Sequence, residues 1–521
     1  MPTRLRSFPV LLALVVGLAF AVRVGATLAG YQNLPLGLDD NNWYHTQSLL
    51  LADHGDLYDP FACLDSVREP GMGNDQAVAL CRERGVLEPS AGHPPLYLVY
   101  LAGVAKLGFE SVLAQRIASC LLGALAVAFV GLVGRQVAGR RAGLIAAALA
   151  AVYPNLWIND GLILAESLYT VAVGAVLLLC YRLWRSPAWG TAALLGLAIG
   201  LAALTRSEGT TFLVFVVAPL AVVLPAISWG RKVALVALTG VVTVAVIAPW
   251  VVHNLGRFSE PVYLASGTGR VMAYGNCDAT YYGDKIGYWD DSCTLKDFPE
   301  GDESVVDEAH RELAAEYMSE HAGRLPVVVA ARVGRMWGLY APIQGANLDI
   351  LFERRGQVPV RTGLAMYYGL LALSVAGLVV LYRRKVTIIP FVGIAAMVTF
   401  TAAASFGVTR YRTPVDLILC ILAAVALDAW WRRRSGEDQT VVEPGEPEAI
   451  DVADAPIGDG PGRDPGPAVA PEPVGAAAGG PRSGARGPRG ASGAPGPRRH
   501  PTPGGGARPG GARAGTSGGS S

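Results

Sequence analysis

The sequence has few charged residues. Only 16% of its 521 residues are Asp, Glu, Lys or Arg, against about a quarter in an average soluble domain. Hydrophobic residues make up 52% instead. A net charge of only +1 at pH 7 gives no indication of a nucleic-acid partner, and we expect none. This composition argues against an ordinary soluble protein and predicts a chain that crosses a membrane several times.

The sequence also lacks the short motifs of nucleotide-binding and zinc enzymes. It contains no GxxxxGK[ST], HExxH or CxxC pattern, and "SGTGRVM" at 266–272 has only two of the three glycines of a dinucleotide loop. The loops that carry most Lys and Arg are too short to form a soluble catalytic domain. Any enzyme must therefore be built in the membrane or on its outer face.

Long apolar runs are abundant. The run at 8–30 follows a basic start but continues past ~20 residues without a small-residue cleavage site, so we interpret it as an uncleaved first span. An all-α polytopic membrane protein of about ten helices is expected. The predicted spans lie at 8–30, 112–134, 142–157, 162–181, 189–205, 210–229, 232–252, 364–382, 386–405 and 413–431.

The short loops predict the orientation, because Lys and Arg accumulate on the cytoplasmic side. With the N-terminus inside, the inner loops are "RQVAGRRAG", "YRLWRSPAW", "WGRK" and "YRRKV", and each of them is basic. The outer side receives a first loop at 31–111 and a large segment at 253–363. We therefore expect a multi-pass plasma membrane protein with both termini in the cytoplasm.

The cysteines agree with this topology. Cys120, Cys180 and Cys420 fall inside predicted spans, where a thiol behaves as a small hydrophobic group. The other four form two local pairs in predicted outer loops, and disulfides persist in an oxidising compartment. We expect two disulfides, Cys63 with Cys81 and Cys277 with Cys293. The alternative is four unrelated thiols.

The C-terminal part differs from the rest. From 433 to 521 the chain is rich in Pro, Gly, Ala and Arg, and it has too few apolar residues to offset chain entropy. We expect a disordered cytoplasmic tail that follows a membrane domain at 1–432. The tail either only keeps the chain soluble or contacts anionic lipid through its Arg-rich end.

Ionisable residues at the outer ends of the spans are the candidates for chemistry, because such groups are expensive to place in hydrocarbon. With the predicted topology, they share one side of the membrane. They are Asp39, Asp40, His45, His93, Glu166, Arg206, Glu208, Arg410 and Arg412.

These residues lie in stretches that carry a family resemblance. The stretch "DDNNWYHTQSLLLADHGDLYDP", followed by "AGHPPLYLVYLAGVAKLG" and an Arg-containing second span, resembles the start of the polyprenyl-phosphate-sugar-dependent glycosyltransferases of the GT-C fold. That group includes protein O-mannosyltransferases and lipid A aminoarabinose transferases. The resemblance covers the first ~210 residues best. It implies a GT-C-like transmembrane bundle with extracytoplasmic loops and, when Tyr44 is matched to the family's aromatic residue, a catalytic aspartate at Asp40. Without a shift of register, Asp39 is the catalytic residue instead.

The chemistry of such a reaction assigns the same roles. A sugar phosphate has a leaving group that is already an anion, so the enzyme must supply a base for the acceptor hydroxyl and cations for the phosphate. Asp40 suits the base, and Arg206, Arg410 and Arg412 suit the phosphate, since guanidinium groups bind it in bidentate fashion.

Each assignment has a structural alternative. Asp39 and Asp40 would also cap the helix that follows them, and His93 would shape the turn before two prolines. Arg410 and Arg412 would also serve as interfacial anchors. Glu166 would contact the substrate or form a hydrogen bond inside the bundle. Glu208 would contact the substrate or form an ion pair with Arg206.

A divalent metal is a further possibility, since some GT-C enzymes hold one against the donor phosphate with an acidic pair. Carboxylates suit Mg²⁺ or Mn²⁺, and Asp39 and Asp40 would be its ligands.

The sequence therefore predicts an inverting glycosyltransferase. It would move a sugar from a polyprenyl phosphate at the outer leaflet to an envelope lipid, glycan or protein. The alternatives are a transporter or flippase for lipid-linked sugars, for which no repeat between 8–205 and 210–431 is visible, and a scaffold acting through the tail.

Overall fold

The chain folds as helices joined by short turns. The computed structural model describes residues 7–37, 40–61, 72, 76, 80, 83–84, 88–224, 227–295, 297 and 299–436. Within these residues no strand forms, and the predicted all-α class is confirmed. The α-helices are α1 Phe8–Gly30, α2 Asp40–His54, α3 Leu96–Lys106, α4 Val112–Ala138, α5 Arg140–Val152, α6 Pro154–Trp157, α7 Glu166–Arg185, α8 Trp189–Ala203, α9 Ala218–Val222, α10 Trp229–Leu255, α11 Thr268–Tyr274, α12 Asp278–Tyr281, α13 Glu303–Glu320, α14 Leu325–Met336, α15 Pro342–Leu351, α16 Gln357–Arg383, α17 Ile389–Ala404 and α18 Thr413–Arg434.

Shorter turns connect several of these helices. A π-helical segment at Leu213–Val217 interrupts the stretch before α9. The 3₁₀ turns lie at Asp160–Leu162, Ser207–Thr211, Asp291–Cys293 and Thr409–Arg412.

Six helices are long and apolar enough to cross a membrane, namely α1, α4, α7, α10, α16 and the stretch that contains α18. A seventh span results if α5 and the segment Pro154–Leu162, bent by 66°, are counted together. Each of the ten predicted apolar segments overlaps a helix, and the polytopic membrane architecture is confirmed. Length and composition identify only six or seven spans, because α8, α17 and the helical stretch Ser207–Val222 are shorter than a full span.

The core of the bundle is built around α18, which is buried along most of its length against α4, α5 and α16. Small residues allow these helices to approach closely, as is common in membrane bundles. A Cβ atom at Gly377 of α16 would clash with the carbonyl oxygen of Leu422. A Cβ atom at Gly143 of α5 would lie 2.5 Å from the carbonyl oxygen of Gly131 on α4.

A buried ion pair fixes the first span. Arg23 of α1 is 1% exposed, and its Nε lies 2.9 Å from Oδ2 of Asp160, which also accepts a hydrogen bond from Ser167. Further guanidinium hydrogen bonds reach the backbone of α1 and α5. The charge within the first apolar run is therefore neutralised inside the bundle rather than facing lipid.

The two predicted outer loops carry helices of their own. Helices α2 and α3 lie in the 31–111 loop, and α11 to α15 lie in the 253–363 segment. Cys277 and Cys293 form the predicted disulfide, with Cα atoms 5.4 Å apart. Cys120, Cys180 and Cys420 are buried free thiols, as predicted.

Three predictions fall on residues that the structure does not describe. The Cys63–Cys81 disulfide and Asp39 lie outside the described residues, and so does the tail from 437 onward. These remain predictions from the sequence.

Candidate active site

Arg410 lies at the centre of a cluster of charged side chains at one end of the bundle. It belongs to the 3₁₀ turn Thr409–Arg412, directly before α18, and the hydroxyl of Thr413 donates to its carbonyl oxygen at 2.7 Å. The turn places the Arg410 side chain in a partly enclosed position, 17% exposed. A short turn at a helix start thus holds a guanidinium group at the rim of the membrane domain.

Three carboxylates from distant parts of the sequence surround Arg410. Its Nη2 lies 2.8 Å from Oδ2 of Asp40, its Nε 3.1 Å from Oε1 of Glu166, and its Nη1 3.2 Å from Oε2 of Glu353. Asp40 begins α2, Glu166 begins α7, and Glu353 lies between α15 and α16. One guanidinium group therefore joins the first outer loop, a span and the large outer segment.

Arg206 is a second cation in this cluster. Its Nη1 lies 2.6 Å from Oε1 of Glu166, and its Nε lies 2.5 Å from Oε1 of Glu208. Glu166, only 3% exposed, therefore bridges Arg206 and Arg410. The guanidinium carbon of Arg206 also lies 5.6 Å from the ring centroid of Tyr411, which limits its movement.

Asp40 is the most open acid of the group, with 35% of its side chain exposed. Its place at the start of α2 suits a carboxylate, because a helix N-terminus carries partial positive charge. Burial raises the pKa of Asp40, but the charges of Arg410 and His93 outweigh it and lower the pKa to about 2. Asp40 is therefore an ionised carboxylate that faces the opening of the cluster.

His93 lies beside Asp40. Its Nε2 is 3.8 Å from Oδ1 of Asp40, and its ring centroid is 4.5 Å from that of Tyr44 on α2. Burial lowers the pKa of His93 to about 4, although Asp40 opposes this shift. At neutral pH the imidazole is thus neutral and can donate or accept a hydrogen bond.

Glu303 of α13 fixes the chain just before His93. Its carboxylate accepts hydrogen bonds from the hydroxyls of Ser90 and Ser266, at 2.9 and 2.8 Å, and from the backbone N–H of Ala91. The N–H of Leu96 donates to the carbonyl oxygen of Leu204 at 2.8 Å. These contacts hold residues 90–95, the His93 loop, between the large outer segment and the turn that carries Arg206.

Tyr44 is 4% exposed and packs edge-on against Tyr97, with ring centroids 5.1 Å apart. Burial raises the pKa of Tyr44, and the nearby charges of Asp40 and Glu166 raise it further. Its hydroxyl therefore stays protonated within electrostatic range of the cluster.

Two predicted site residues lie elsewhere. Nδ1 of His45 lies 2.9 Å from Oε1 of Gln115 on α4. Arg412 is 1% exposed, pairs with Asp416 at 3.1 Å, and lies 3.5 Å from the ring centroid of Tyr367. His45 and Arg412 therefore have structural partners outside the cluster. The structure brings together six of the predicted residues, namely Asp40, Tyr44, His93, Glu166, Arg206 and Arg410. Glu208 joins them through Arg206.

Sequence reasoning did not identify Glu353 or Glu303. Both lie in the 253–363 segment, which carries neither a recognisable motif nor a long apolar run. Glu353 precedes Arg354, whose φ of 54° is uncommon for a residue with a side chain. Only the contact with Arg410 identifies Glu353 as a member of the site.

The side chains described here do not form a metal-ligand set. Among the described residues, no group of three or more His, Cys, Asp and Glu side chains could hold a metal ion. Asp40 is instead paired with a guanidinium group. Asp39, the other predicted ligand, lies outside the described residues.

The charges in this cluster do not balance. We define the Arg410 cluster as Asp40, Tyr44, His93, Glu166, Arg206, Glu208, Glu353 and Arg410. Its four carboxylates exceed its two guanidinium groups, and His93 is neutral. Two further guanidinium groups act on the cluster from outside this set, Arg270 on His93 and Arg355 on Glu353.

Comparison with protein families confirms the resemblance seen in the sequence. Residues 92–253 match the family described as dolichyl-phosphate-mannose-protein mannosyltransferase. The matched segment contains His93, Glu166, Arg206 and Glu208, and it is less than half of the chain. No curated protein matches the chain in sequence.

Solved structures of similar shape include two glycosyltransferase systems. The archaeal oligosaccharyltransferase AglB from Archaeoglobus fulgidus, in complex with an inhibitory peptide and a dolichol-phosphate, is 15% identical with a TM-score of 0.49, and the match covers 83% of this chain and 52% of that one. ArnT from Cupriavidus metallidurans bound to undecaprenyl phosphate is 13% identical with a TM-score of 0.37, covering 81% of this chain and 78% of that one. The chain thus spans about half the length of the oligosaccharyltransferase.

Proposed function

We propose that this protein is a membrane glycosyltransferase that moves a sugar from a polyprenyl-phosphate donor to a cell-envelope acceptor. The observation that carries the proposal is the contact between Arg410 and Asp40, which joins a phosphate-binding group and a base in one open cluster. The match of residues 92–253 to a family named for a dolichyl-phosphate-mannose donor supports it.

In this proposal, the donor phosphate binds to Arg410 and Arg206. Guanidinium groups form bidentate hydrogen bonds with phosphate oxygens. Because both groups already hold carboxylates, the phosphate must replace at least one of them. Glu353 is the best candidate, since burial raises its pKa and it loses its charge more easily than Asp40.

Asp40 then serves as the base for the acceptor. The acceptor hydroxyl oxygen forms a bond to the anomeric carbon while the bond from that carbon to the phosphate oxygen breaks. The polyprenyl phosphate leaves with the bonding electrons as an anion held by Arg410, and the hydroxyl proton moves to Asp40. This single displacement inverts the anomeric centre, and no acid is needed for the leaving group.

Donor binding would also make Asp40 a stronger base. In the free protein, Arg410 and His93 hold the pKa of Asp40 at about 2, far below the range in which a general base is effective. When the phosphate takes over hydrogen bonds of Arg410, the guanidinium charge is shared with the phosphate and the pKa of Asp40 rises. The base therefore becomes active only when the donor is present, which limits proton transfer without a sugar.

We infer that the cluster faces the outside of the cell. The opposite ends of the spans carry the basic loops, as expected for cytoplasmic loops. The disulfide between Cys277 and Cys293 lies in the segment that supplies Glu353, and disulfides persist in oxidising compartments.

The test is transfer of a labelled sugar from polyprenyl phosphate. Membranes that contain the full chain are incubated with polyprenyl-phosphate sugars, beginning with mannose, and the label in the envelope fraction is measured. Asp40→Asn should lower transfer about 10²- to 10⁴-fold, the usual contribution of a general base. Asp39→Asn in parallel decides between the two adjacent aspartates.

The matched control is Asp56→Asn. Asp56 lies in the same outer loop but pairs with His253 and Arg257, away from the Arg410 cluster. Transfer should be unchanged in this variant. Equal transfer by wild type, Asp40→Asn and Asp39→Asn would disprove the role of the aspartates. Movement of intact lipid-linked sugar across liposomes by all of these variants would favour a transporter instead.

A further inference from the structure

A groove lies at the end of α18 opposite to the Arg410 cluster. Its volume is about 580 Å³, and it is lined by Arg141, Ile145, Leu427, Trp430 and Trp431. We name it the Arg-Trp groove. Its volume falls within the ~300–1,000 Å³ typical of sites for small molecules. The proposed glycosyl transfer does not use this groove.

The position of the groove corresponds to a membrane interface. Helix α18 runs from Thr413 to Arg434, which at 1.5 Å per residue is about 33 Å, close to the ~30 Å of a hydrocarbon core. Because the Arg410 cluster lies at one end of this helix, the groove lies at the other interface. Trp430 and Trp431 remain 50% and 58% exposed, as expected for tryptophans at the headgroup level.

Positive charge surrounds the groove. Nε of Arg432 lies 2.8 Å, and Nε of Arg141 3.9 Å, from the carboxylate of Asp428. The guanidinium carbon of Arg434 lies 4.3 Å from the ring centroid of Trp430. Arg433 is exposed beside them.

Another helix end adds to this charge. Arg384 directly follows α16, and burial lowers its pKa. The charge of Asp428 opposes this shift, whereas the charges of Arg432 and Arg433 lower the pKa further. Arg384 therefore lies within electrostatic range of the same group. Three guanidinium groups, those of Arg141, Arg384 and Arg432, interact with the single carboxylate of Asp428, and Arg433 and Arg434 add positive charge at the same helix end, so a ligand with negative charge is favoured.

We propose that the Arg-Trp groove binds an anionic phospholipid of the membrane. The phosphate of the headgroup lies against Arg141 and Arg432 to Arg434, and an acyl chain lies along Ile145, Leu427 and the two tryptophans. The groove suits a lipid because its apolar walls and its cations meet at one interface. A soluble phosphate would use the cations alone and leave the apolar walls exposed to water.

The experiment measures lipid binding to the full chain in nonionic detergent after removal of bound lipid. Native mass spectrometry is used to titrate phosphatidylglycerol and phosphatidylcholine with the same acyl chains. Phosphatidylglycerol should bind at least tenfold more tightly. In Arg433→Gln/Arg434→Gln, its affinity should fall about 10- to 30-fold, because each Arg near an anionic headgroup contributes roughly 1 kcal/mol.

Arg182→Gln/Arg185→Gln is the matched control. These exposed arginines end α7 at the same side of the bundle. Neither arginine pair lines the groove itself, but Arg434 lies over the ring of the groove residue Trp430, whereas Arg185 donates to the carbonyl oxygen of Gln136 on α4. Phosphatidylglycerol affinity should stay within about twofold of wild type. An equal loss in both double variants would overturn the proposal, since it would reflect bulk charge only. Equal binding of the two lipids, or displacement of lipid by glycerol phosphate at equal concentration, would overturn it as well.

A second readout does not depend on the arginine variants. Phosphatidylglycerol with brominated acyl chains should quench tryptophan fluorescence in the wild type, and the quenched fraction should fall in Trp430→Phe/Trp431→Phe. Unchanged quenching in that variant would place the lipid elsewhere and overturn the proposal.

Discussion

Arg410 and Arg412 are two residues apart in "VTRYRTP" but have different environments. Arg410 meets three carboxylates from other parts of the chain, whereas Arg412 meets Asp416 one turn further along α18. The sequence predicted that both arginines bind phosphate. It could not separate them, because the difference depends on the direction in which a short 3₁₀ turn points each side chain.

The two arginines should respond differently to the same substitution. Arg412→Met leaves buried Asp416 without its cationic partner, although Tyr153 still donates to it, and should lower the free energy of unfolding by about 3–5 kcal/mol. Arg410→Met removes a cation from three carboxylates and should also lower stability, but it should in addition weaken donor binding at least tenfold, whereas folded Arg412→Met should bind the donor like wild type. Thermal unfolding in detergent and donor binding to the purified protein measure the two effects. Loss of stability only in Arg410→Met would contradict this assignment.

Glu353 should make donor binding depend on pH. Its pKa is raised by burial, so it takes up a proton at a higher pH than an ordinary glutamate. Protonation removes a negative charge that competes for Arg410, while the phosphodiester stays anionic. Donor affinity should therefore increase as pH falls through the raised pKa.

Glu353→Gln is the matching variant, since the amide keeps the shape of the side chain without its charge. It should bind the donor at least as tightly as wild type at neutral pH, and its affinity should not change on acidification. Calorimetric titration with the donor between pH 7 and pH 4.5 measures both dependences. Parallel curves for wild type and Glu353→Gln would show that another group is responsible.

At the scale of helices, hydropathy predicted the spans well and the outer segments poorly. Each predicted apolar segment is helical, because hydrocarbon requires every backbone group to be hydrogen-bonded within the chain. The lengths of α8 and α17 were less predictable, since a helix that is buried among others need not cross the full bilayer. Helices α11 to α15 have no comparable hydropathy pattern in the sequence. Their positions depend on contacts with distant segments, such as the hydrogen bond between Glu303 and Ser90.

Glu303 should act on transfer only through position. Glu303→Gln replaces one of the two accepting carboxylate oxygens with an NH2 group, which donates and cannot accept, so the His93 loop is held less firmly. Leaving a buried donor without a partner costs about 1–3 kcal/mol. We expect transfer to fall several-fold, with the loss mainly in the apparent acceptor KM and partly recovered in Glu303→Asp.

Glu308→Gln is the control on the same helix. Glu308 is partly exposed and pairs with Arg311, so both transfer and stability should match wild type. If Glu303→Gln also behaved like wild type, the Ser90–Ala91 contacts would not matter for the site.

At the scale of the whole molecule, the site is assembled from six separate stretches of sequence. The start of the first outer loop, the His93 loop and the Arg206 turn could be predicted, because each carries a motif next to an apolar span. Glu353 could not, since its role depends on meeting Arg410 across 57 residues of chain. The predicted topology places these candidates on one side of the membrane.

The tail from 437 to 521 should be unnecessary for transfer. All members of the Arg410 cluster lie before Gly436, and the tail has too few apolar residues to form a core. A chain that ends at 436 should retain donor binding and transfer within about twofold in the same membrane assay. Loss of transfer in a truncated chain of unchanged thermal stability would assign the tail a direct part in the reaction.

The central claim is that Arg410 binds the donor while Asp40 takes the acceptor proton, and Asp40→Asn separates the two roles. The substitution removes a negative charge from Arg410, so the donor Kd should stay equal or decrease. The single-turnover rate of sugar transfer at saturating donor should fall at least 100-fold. The measurement is therefore the donor Kd and the single-turnover rate of purified Asp40→Asn beside wild type. Tight donor binding with slow transfer supports the account, whereas transfer at the wild-type rate, or a loss explained entirely by weaker donor binding, would contradict it.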